Sequence, residues 1–438
     1  MASVSVIALR QSIKCFPSPL CRPSKTSQNF PFHREREKQR IFKMTILPFA
    51  REKKNRRPLR APLLAHKQCE DAASIDHGFG EASFAGAVFN LSTTIVGAGI
   101  MALPATLRVL GLIPGLVMIV LAGILTESSI NMILRSGRAG PSLKSTAGSS
   151  YSGIVGEAFG GAGRAILQTC IVVNNLGMLV IYMIIIGDVL AGSSSAGIHH
   201  SGVIEEWFGR QWWTTRSCLL LLTTFLVFAP LISLKRVVHP IENELKDPTQ
   251  MKSIVQSSIV LCLSVYVATS FFGFLLFGDG TMDDILANFD GDLGIPYSSL
   301  FNDIVRISYA AHLMLVFPIV FFTLRLNLDG LLFPYAVPIA FDGQRFFSMT
   351  VALMGLSFLG ANFVPSIWDA FQFTGATASI AIGFIFPAAI ALRNVHGIAT
   401  KTDRVLSWFM IVLAVTSSTV AISSDIYATL SNGGEMGR

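Results

Sequence analysis

Charged residues are scarce in this chain of 438 residues. Asp, Glu, Lys and Arg make up only 14% of it and apolar residues 51%, whereas soluble domains carry about 25% charged residues. The mean hydropathy is correspondingly high, at +0.56. This composition excludes an ordinary soluble domain and predicts an integral membrane protein.

Motifs for metal binding and catalysis are also lacking. The six cysteines (15, 21, 69, 170, 218 and 262) show no CxxC and no Cys/His ligand spacing, so neither a disulfide framework nor a zinc site is expected. We find no phosphate loop, GxSxG elbow, HExxH or dinucleotide fingerprint in a suitable context. The sequence therefore predicts no enzyme, no cofactor and no metal site.

Basic residues are concentrated near the N-terminus. Residues 1–80 hold 16 of the 34 Lys and Arg but 6 of the 27 Asp and Glu, so the net charge of +7 belongs to this segment. Its low hydrophobicity and scattered prolines predict a disordered tail. Nucleic-acid binding is one interpretation of such a tail. We favour a simpler one, cytosolic retention by anionic membrane lipid, and expect no nucleic-acid partner.

Nine runs with few or no charges are candidates to cross a bilayer, which takes about 20 apolar residues in a helix. Lys and Arg follow the second, fourth, sixth and eighth runs, whereas the loop after the fifth is acidic, as the positive-inside rule requires. This alternation predicts an all-α polytopic transmembrane domain over residues 81–430 with a cytosolic N-terminus. The runs are Ala82–Leu107, Val109–Leu134, Ala165–Ile186, Ser217–Leu234, Ser253–Gly278, Ile307–Leu324, Phe346–Ala361, Ala370–Leu392 and Val405–Ser424.

The first run is poorly suited to a continuous helix. Between Ser92 and Pro104 it contains two glycines, three hydroxyl residues and the proline, which lower helix propensity and remove a backbone donor. Such an interruption indicates the binding site of a transporter, because irregular backbone inside a membrane must face protein or water. A Gly/Ser-rich helix packed tightly against its neighbours is the alternative.

Four stretches resemble the amino acid/auxin permease family, closest to its plant vacuolar amino acid transporter branch, which is similar to the sodium-coupled neutral amino acid transporters of animals. They are Phe89–Pro104, Leu125–Ile130, His239–Leu245 and Phe317–Arg325. The resemblance runs from about Met44 to the C-terminus. It implies eleven spans, the first ten forming two inverted repeats of five helices, with the amino acid bound between broken helices one and six.

The chain departs from this pattern at residues 237–238. The fourth run ends just before Val237, and the next residues, Val238-His239-Pro240, resemble the cytosolic end of the family's sixth helix. We therefore expect an apparent internal deletion of helices five and six. The result would be about nine helices, an incomplete version of the eleven-helix inverted-repeat transporter fold. A shortened isoform or a faulty gene model would each produce such a chain.

Two interpretations of residues 1–43 stay open. The first 34 residues contain no acid, six serines and five Lys or Arg, a composition typical of an organelle transit peptide that would direct the protein to a plastid. Alternatively, these residues are a gene-model extension and Met44 is the ordinary start. We favour the extension, because members of the resembling branch tend to begin near a Met-Thr-Ile.

The resemblance implies a substrate site at the interruption of the first run. In the family, backbone groups there bind the carboxylate of the amino acid, since the start of a half-helix presents unpaired N–H groups and a positive dipole end. Thr93 and Thr94 would add hydroxyl groups. The residues that match in this chain are Thr93, Thr94, Ile95, Val96, Gly97, Ala98 and Gly99.

Proton coupling is predicted in preference to sodium coupling. Sodium-coupled relatives carry hydroxyl residues just before the proline of helix eight and an Asn at the position of Thr93. Here the stretch before Pro318 is His312–Phe317, whose side chains supply no hard oxygen ligand. Intramembrane ionisable groups are the usual proton carriers, and the candidates are Glu127, Asp188 and His312. Each also has a structural interpretation: a buried helix contact, an interfacial acid and a satisfied core histidine, respectively.

The sequence thus predicts secondary active transport of neutral amino acids, with the amino acid, protons and membrane lipid as partners. A vacuolar or other endomembrane location is expected, with the plasma membrane or a plastid as alternatives. A second hypothesis is that the shortened chain is inactive in transport and acts only as a membrane-embedded partner.

Overall fold

The computed structural model describes residues 83–139, 150–195, 198–233, 250–291, 293–294, 296–334, 336–337, 339–364 and 367–435. The predicted tail (residues 1–80) and the predicted junction (237–238) lie outside the described residues.

Helices dominate the described residues, and eight of them are long and apolar enough to cross a membrane. A bent pair, Phe84–Ile95 and Ala98–Leu110, adds a ninth candidate. The predicted all-α polytopic fold with about nine transmembrane helices is thereby confirmed. In chain order, with the bent pair as span one, spans two to nine are Leu112–Ala139, Tyr151–Ala191, Arg216–Ser233, Met251–Gly280, Ser298–Leu332, Gly343–Phe363, Ile367–Arg393 and Lys401–Ser424.

Several spans contain irregular turns. Span three kinks at Gly160, whose φ of 71° lies in the region that glycine tolerates, and span six contains Pro318. π-helical turns interrupt spans four and eight at Thr224–Phe228, Gly375–Ser379 and Ala381–Ile385. The α-helices flanking these turns are Arg216–Thr223, Ala229–Ser233, Ile367–Thr374 and Phe386–Arg393, and the helix of span nine continues to Glu435.

Span three lies at the centre of the described bundle. Of its most apolar stretch of 18 residues, 72% is buried inside the protein, compared with 17% of the corresponding stretch in spans five and nine. Its stretch from Met178 to Ile186 is apolar on every side, as expected of a helix surrounded by others. This stretch belongs to one core with Leu220 and Phe228 of span four and Leu313 of span six.

Short elements join spans on one side of the bundle. Strands β1 (Gly192–Ser195) and β2 (Ile198–Ser201) form an antiparallel hairpin followed by the helix Val203–Phe208. Shorter 3₁₀ turns complete the described structure at Ala98–Ile100, Trp212–Thr214, Gly278–Gly280, Ile285–Asp290 and Ile339–Phe341. We call the hairpin, the helix Val203–Phe208 and residues 278–291 the far-side cap.

Loops predicted to share a side of the membrane do contact one another. In the far-side cap, His200 Nδ1 lies 2.6 Å from Asp290 Oδ2, and Glu206 forms an ion pair with Arg306 at 2.9 Å. At the opposite end, Arg135 forms an ion pair with Asp403 at 2.7 Å. These contacts agree with the alternation of charge in the sequence, whereas the cytosolic N-terminus stays a prediction.

Candidate functional site

Span one is broken where its sequence predicts an interruption. The first half is the helix α1 (Phe84–Ile95), and the second half, Ala98–Leu110, ends in the helix α2 (Leu103–Leu110). The two halves are bent by 64° relative to each other. Val96 and Gly97 are not helical, and a single 3₁₀ turn follows at Ala98–Ile100. Pro104 lies in the first turn of α2, where its missing N–H is not needed.

Three consecutive carbonyl groups at the break accept hydrogen bonds from other spans. The Tyr266 hydroxyl of span five donates to the Ile95 carbonyl at 2.8 Å. In span six, the Tyr309 hydroxyl donates to the Gly97 carbonyl at 2.9 Å, and His312 Nε2 lies 2.8 Å from the Val96 carbonyl oxygen. Carbonyl groups freed inside a membrane need such partners, so these side chains stabilise the broken backbone.

Fewer of the N–H groups at the break form hydrogen bonds. Gly97 N–H donates to the Ile95 carbonyl at 2.9 Å. The N–H groups of Ala98 and Gly99, which begin the 3₁₀ turn, have no acceptor among the described residues. Adjacent free N–H groups at the start of a helical segment attract a carboxylate, through hydrogen bonds and the positive end of the helix dipole.

Gly97 is required by close packing and not by its backbone angles. Its φ of −114° is open to any residue, but an added Cβ would lie 2.8 Å from the Tyr182 hydroxyl oxygen. Tyr182 comes from the buried stretch Met178–Ile186 of span three and is only 1% exposed. The break is therefore in direct contact with a buried tyrosine that has little room to move.

Both predicted threonine hydroxyls bond to their own helix. Thr93 Oγ1 donates to the carbonyls of Phe89 and Asn90, at 3.0 and 3.1 Å, and Thr94 Oγ1 donates to the Asn90 carbonyl at 2.8 Å. Such back-bonding is common where helices bend. The hydroxyl hydrogens of both threonines are thus used inside α1, which leaves the oxygen lone pairs for any ligand.

Of the three predicted proton carriers, the structure places one at the break. His312 contacts the Val96 carbonyl directly. Glu127 Oε1 instead accepts a hydrogen bond from Gln256 Nε2 at 2.6 Å, between spans two and five. Asp188 forms an ion pair with Arg216 at 3.1 Å, near the far-side end of span three.

Sequence reasoning missed the three tyrosines, Tyr182, Tyr266 and Tyr309, that surround the break. A signal for them was available, since the chain has only 7 tyrosines and these three lie within apolar spans. A buried tyrosine hydroxyl usually needs an acceptor, and a broken helix offers several unpaired carbonyls. The sequence alone did not show that all three tyrosines reach the break in span one.

Comparison with known proteins agrees with this geometry. The family model described as "Transmembrane amino acid transporter protein" matches residues 80–236 and again residues 233–429. Amino acid transporters AVT6A and AVT6B of Arabidopsis thaliana are each 48% identical to this chain, over 436 and 441 aligned positions. These matches cover 84% of this chain in both cases, and 93% and 94% of the two relatives. Solute carrier family 38 member 10 of Homo sapiens is 23% identical, over 80% of this chain and 36% of that protein.

Proposed function

This chain belongs to the transmembrane amino acid transporter family, and from that premise we propose that it is a secondary active transporter of neutral amino acids driven by a proton gradient. This family membership identifies the chain as an integral membrane protein of the transporter class and not as an enzyme. The substrate class, the coupling ion and the membrane of residence are the parts that we propose.

The observation that carries the proposal is the pair of free N–H groups at Ala98 and Gly99. An unpaired N–H buried in a membrane protein is costly, and the carboxylate shared by all amino acids would satisfy both groups. The neighbouring carbonyls of Ile95, Val96 and Gly97 are held in place by spans five and six. The break is thus preorganised to receive an anion without rebuilding its backbone.

Two features support a neutral side chain and proton coupling. The side chains that contact the break are Tyr182, Tyr266, Tyr309 and His312, none of which is a fixed charge that could pair with a charged substrate. Of the three predicted proton carriers, His312 is the one that contacts the break. Glu127 and Asp188 remain secondary candidates. We place the protein in a vacuolar or other endomembrane, with its N-terminus in the cytosol.

A second candidate function is that this shortened chain does not transport and serves only as a membrane-embedded partner. The two ranges matched by the family model meet at residues 233–236, where we predict the loss of helices five and six. The match to AVT6B spans 441 positions, more than the 438 residues of this chain. Since 84% of the chain is about 368 residues, about 73 positions of that relative have no counterpart here. That length fits two membrane helices with their loops.

A buried arginine contacts the end of span four near the predicted junction. Arg325 is 2% exposed, and its Nη1 donates to Thr350 Oγ1 at 2.9 Å and to the Ile232 carbonyl near the end of span four. Its Nε has no acceptor and it forms no ion pair with a described residue. The guanidinium carbon lies 3.9 Å from the centre of the Phe346 ring, so a cation–π contact stabilises the buried charge.

The test is uptake of alanine, leucine and glutamine into vesicles containing the purified chain, with and without a pH gradient. A matched protein with the missing segment restored from the full-length transcript serves as the comparison. Gradient-dependent uptake by this chain supports the transporter function. Uptake equal to that of empty vesicles, together with activity of the restored protein, supports the inactive partner. Sequencing the transcript across Arg236–His239 determines whether the organism makes the short form.

A further inference from the structure

Asp284 is a buried acid that lies next to the second half of span one. It precedes the 3₁₀ helix Ile285–Asp290, and its Oδ1 accepts a hydrogen bond from the Leu286 N–H at 3.0 Å. The next residue, Ile285, donates its N–H to the Met101 carbonyl at 3.2 Å, just after the 3₁₀ turn of the break. Asp284 is only 8% exposed, so the far-side cap holds this carboxyl group inside the protein and close to the break.

The charged groups around Asp284 are mostly engaged elsewhere. Asp188 of span three, which interacts with it electrostatically, is paired with Arg216 at 3.1 Å. Arg306 of span six is paired with Glu206 at 2.9 Å. Asp284 itself forms no ion pair with a described residue. Burial raises the pKa of Asp284 from 3.8 to about 6, and the Leu286 N–H and the charge of Arg306 offset only part of this effect.

Tyr309 interacts with both Asp284 and the break. This tyrosine interacts electrostatically with Asp284, and its hydroxyl donates to the Gly97 carbonyl at 2.9 Å. Leu286 belongs to the same buried cluster as Tyr309, Ala98 and Ile100. Since charges interact strongly where water is excluded, we expect a change of charge at Asp284 to act on the turn that carries the free N–H groups.

We propose that Asp284 binds the proton whose binding is coupled to that of the amino acid, an inference that rests on the proposed function. The ionised carboxylate places a negative charge near the turn where the substrate carboxylate would bind, and like charges repel. Taking up one proton from the far-side water converts the carboxylate to a neutral acid and removes that repulsion. Proton and amino acid then each favour the binding of the other, as linkage requires.

The test compares Asp284→Asn with Asp283→Asn. The asparagine at 284 is neutral at every pH, and its amide oxygen can still accept the hydrogen bond from the Leu286 N–H. Asp283 is the matched control, because it is the adjacent acid but its side chain is 46% exposed and pairs with Arg108 at 3.2 Å. The measurement is the KM for alanine uptake with the far-side solution at pH 5 and at pH 7.

The wild-type KM is expected to rise by about tenfold from pH 5 to pH 7, because the protonated fraction of an acid with a pKa near 6 falls by about that factor. In D284N the KM at pH 7 is expected to equal the wild-type value at pH 5, and D283N should behave as wild type. A gain of affinity at neutral pH is not a result that misfolding produces.

The outcomes separate this inference from the function on which it rests. If the KM of D284N rises from pH 5 to pH 7 as in the wild type, the inference is overturned. It is also overturned if the KM of D283N is as independent of pH as that of D284N. Wild-type uptake that is saturable but independent of pH overturns proton coupling, and no wild-type uptake or binding at either pH overturns the proposed function as well. If D284N does not reach the membrane, Asp284→Glu is measured instead: a shifted midpoint of the KM profile supports the inference, and an unshifted midpoint overturns it.

Discussion

The contact between Gly97 and Tyr182 gives a sharp test of the break as the transport site. In Gly97→Ala the new Cβ would lie 2.8 Å from the Tyr182 hydroxyl oxygen, closer than a methyl group and an oxygen can approach. Overpacking of this kind costs about 1–3 kcal/mol. If the cost falls on the geometry that binds substrate, kcat/KM for uptake should fall by about 5- to 150-fold, since about 1.4 kcal/mol is a factor of ten.

A second substitution removes the cause of the clash. In Tyr182→Phe the nearest ring atom to the same Cβ is the ring carbon at 3.7 Å, an ordinary contact distance. Gly97→Ala should therefore cost little in the Tyr182→Phe background, and the double-mutant cycle should give a coupling of about 1–3 kcal/mol. Uptake by vesicles and thermal unfolding of the purified protein are both measured. Gly355→Ala in span seven, where a Cβ meets nothing within 4 Å, is the control.

Additivity would refute this reasoning. If Gly97→Ala lowers uptake equally with and without the Tyr182 hydroxyl, the contact does not explain the need for glycine. If Gly97→Ala leaves uptake unchanged while the unfolding temperature falls, the break is a structural feature and not the substrate site.

Three further predictions follow from the same contacts. Tyr309→Phe removes the side-chain donor to the Gly97 carbonyl and leaves it only the Ile100 N–H at 3.2 Å, so it should cost about 0.5–1.5 kcal/mol of stability and raise the KM. Tyr151→Phe, which loses a bond to the Ile382 carbonyl, should lower the unfolding temperature similarly with no change of KM. Replacing sodium by choline should leave uptake unchanged, and a strict sodium requirement would contradict proton coupling. Because burial raises the pKa of Asp284 to about 6, the folded protein retains a proton that the unfolded chain releases, so this group should lower the free energy of unfolding by about 3 kcal/mol as pH rises from about 3 to 7. Chemical denaturation should show a fall that is smaller by this amount in Asp284→Asn.

The sequence was sufficient for the architecture of this protein because a membrane leaves few options. Apolar runs with alternating loop charge specify helices, their number and their order, and the structure has the nine candidate spans in those places. The break in span one was also predictable, since two glycines and Pro104 weaken a helix without regard to its neighbours. These features are local, and local chemistry determines them.

Contacts between spans were not predictable in the same way. Glu127, Asp188 and His312 look alike in sequence, as single ionisable residues in or beside apolar runs. Only the packing of span six against span one brings His312 to the break, while Asp188 meets Arg216 across a connection that includes the hairpin. Asp284 was visible only as one member of an acidic loop, because its burial depends on the cap that covers it.

The three donors that hold the carbonyls of the break also constrain how it can open. Tyr266, Tyr309 and His312 all belong to spans five and six, so a displacement of these two spans away from α1 would expose three peptide oxygens together. The Ile95 and Gly97 oxygens would keep one backbone donor each, and water would replace the lost side chains at all three. Entry of water into the pathway and separation of the spans would accordingly occur together, so a partly opened, water-free state is disfavoured at this point.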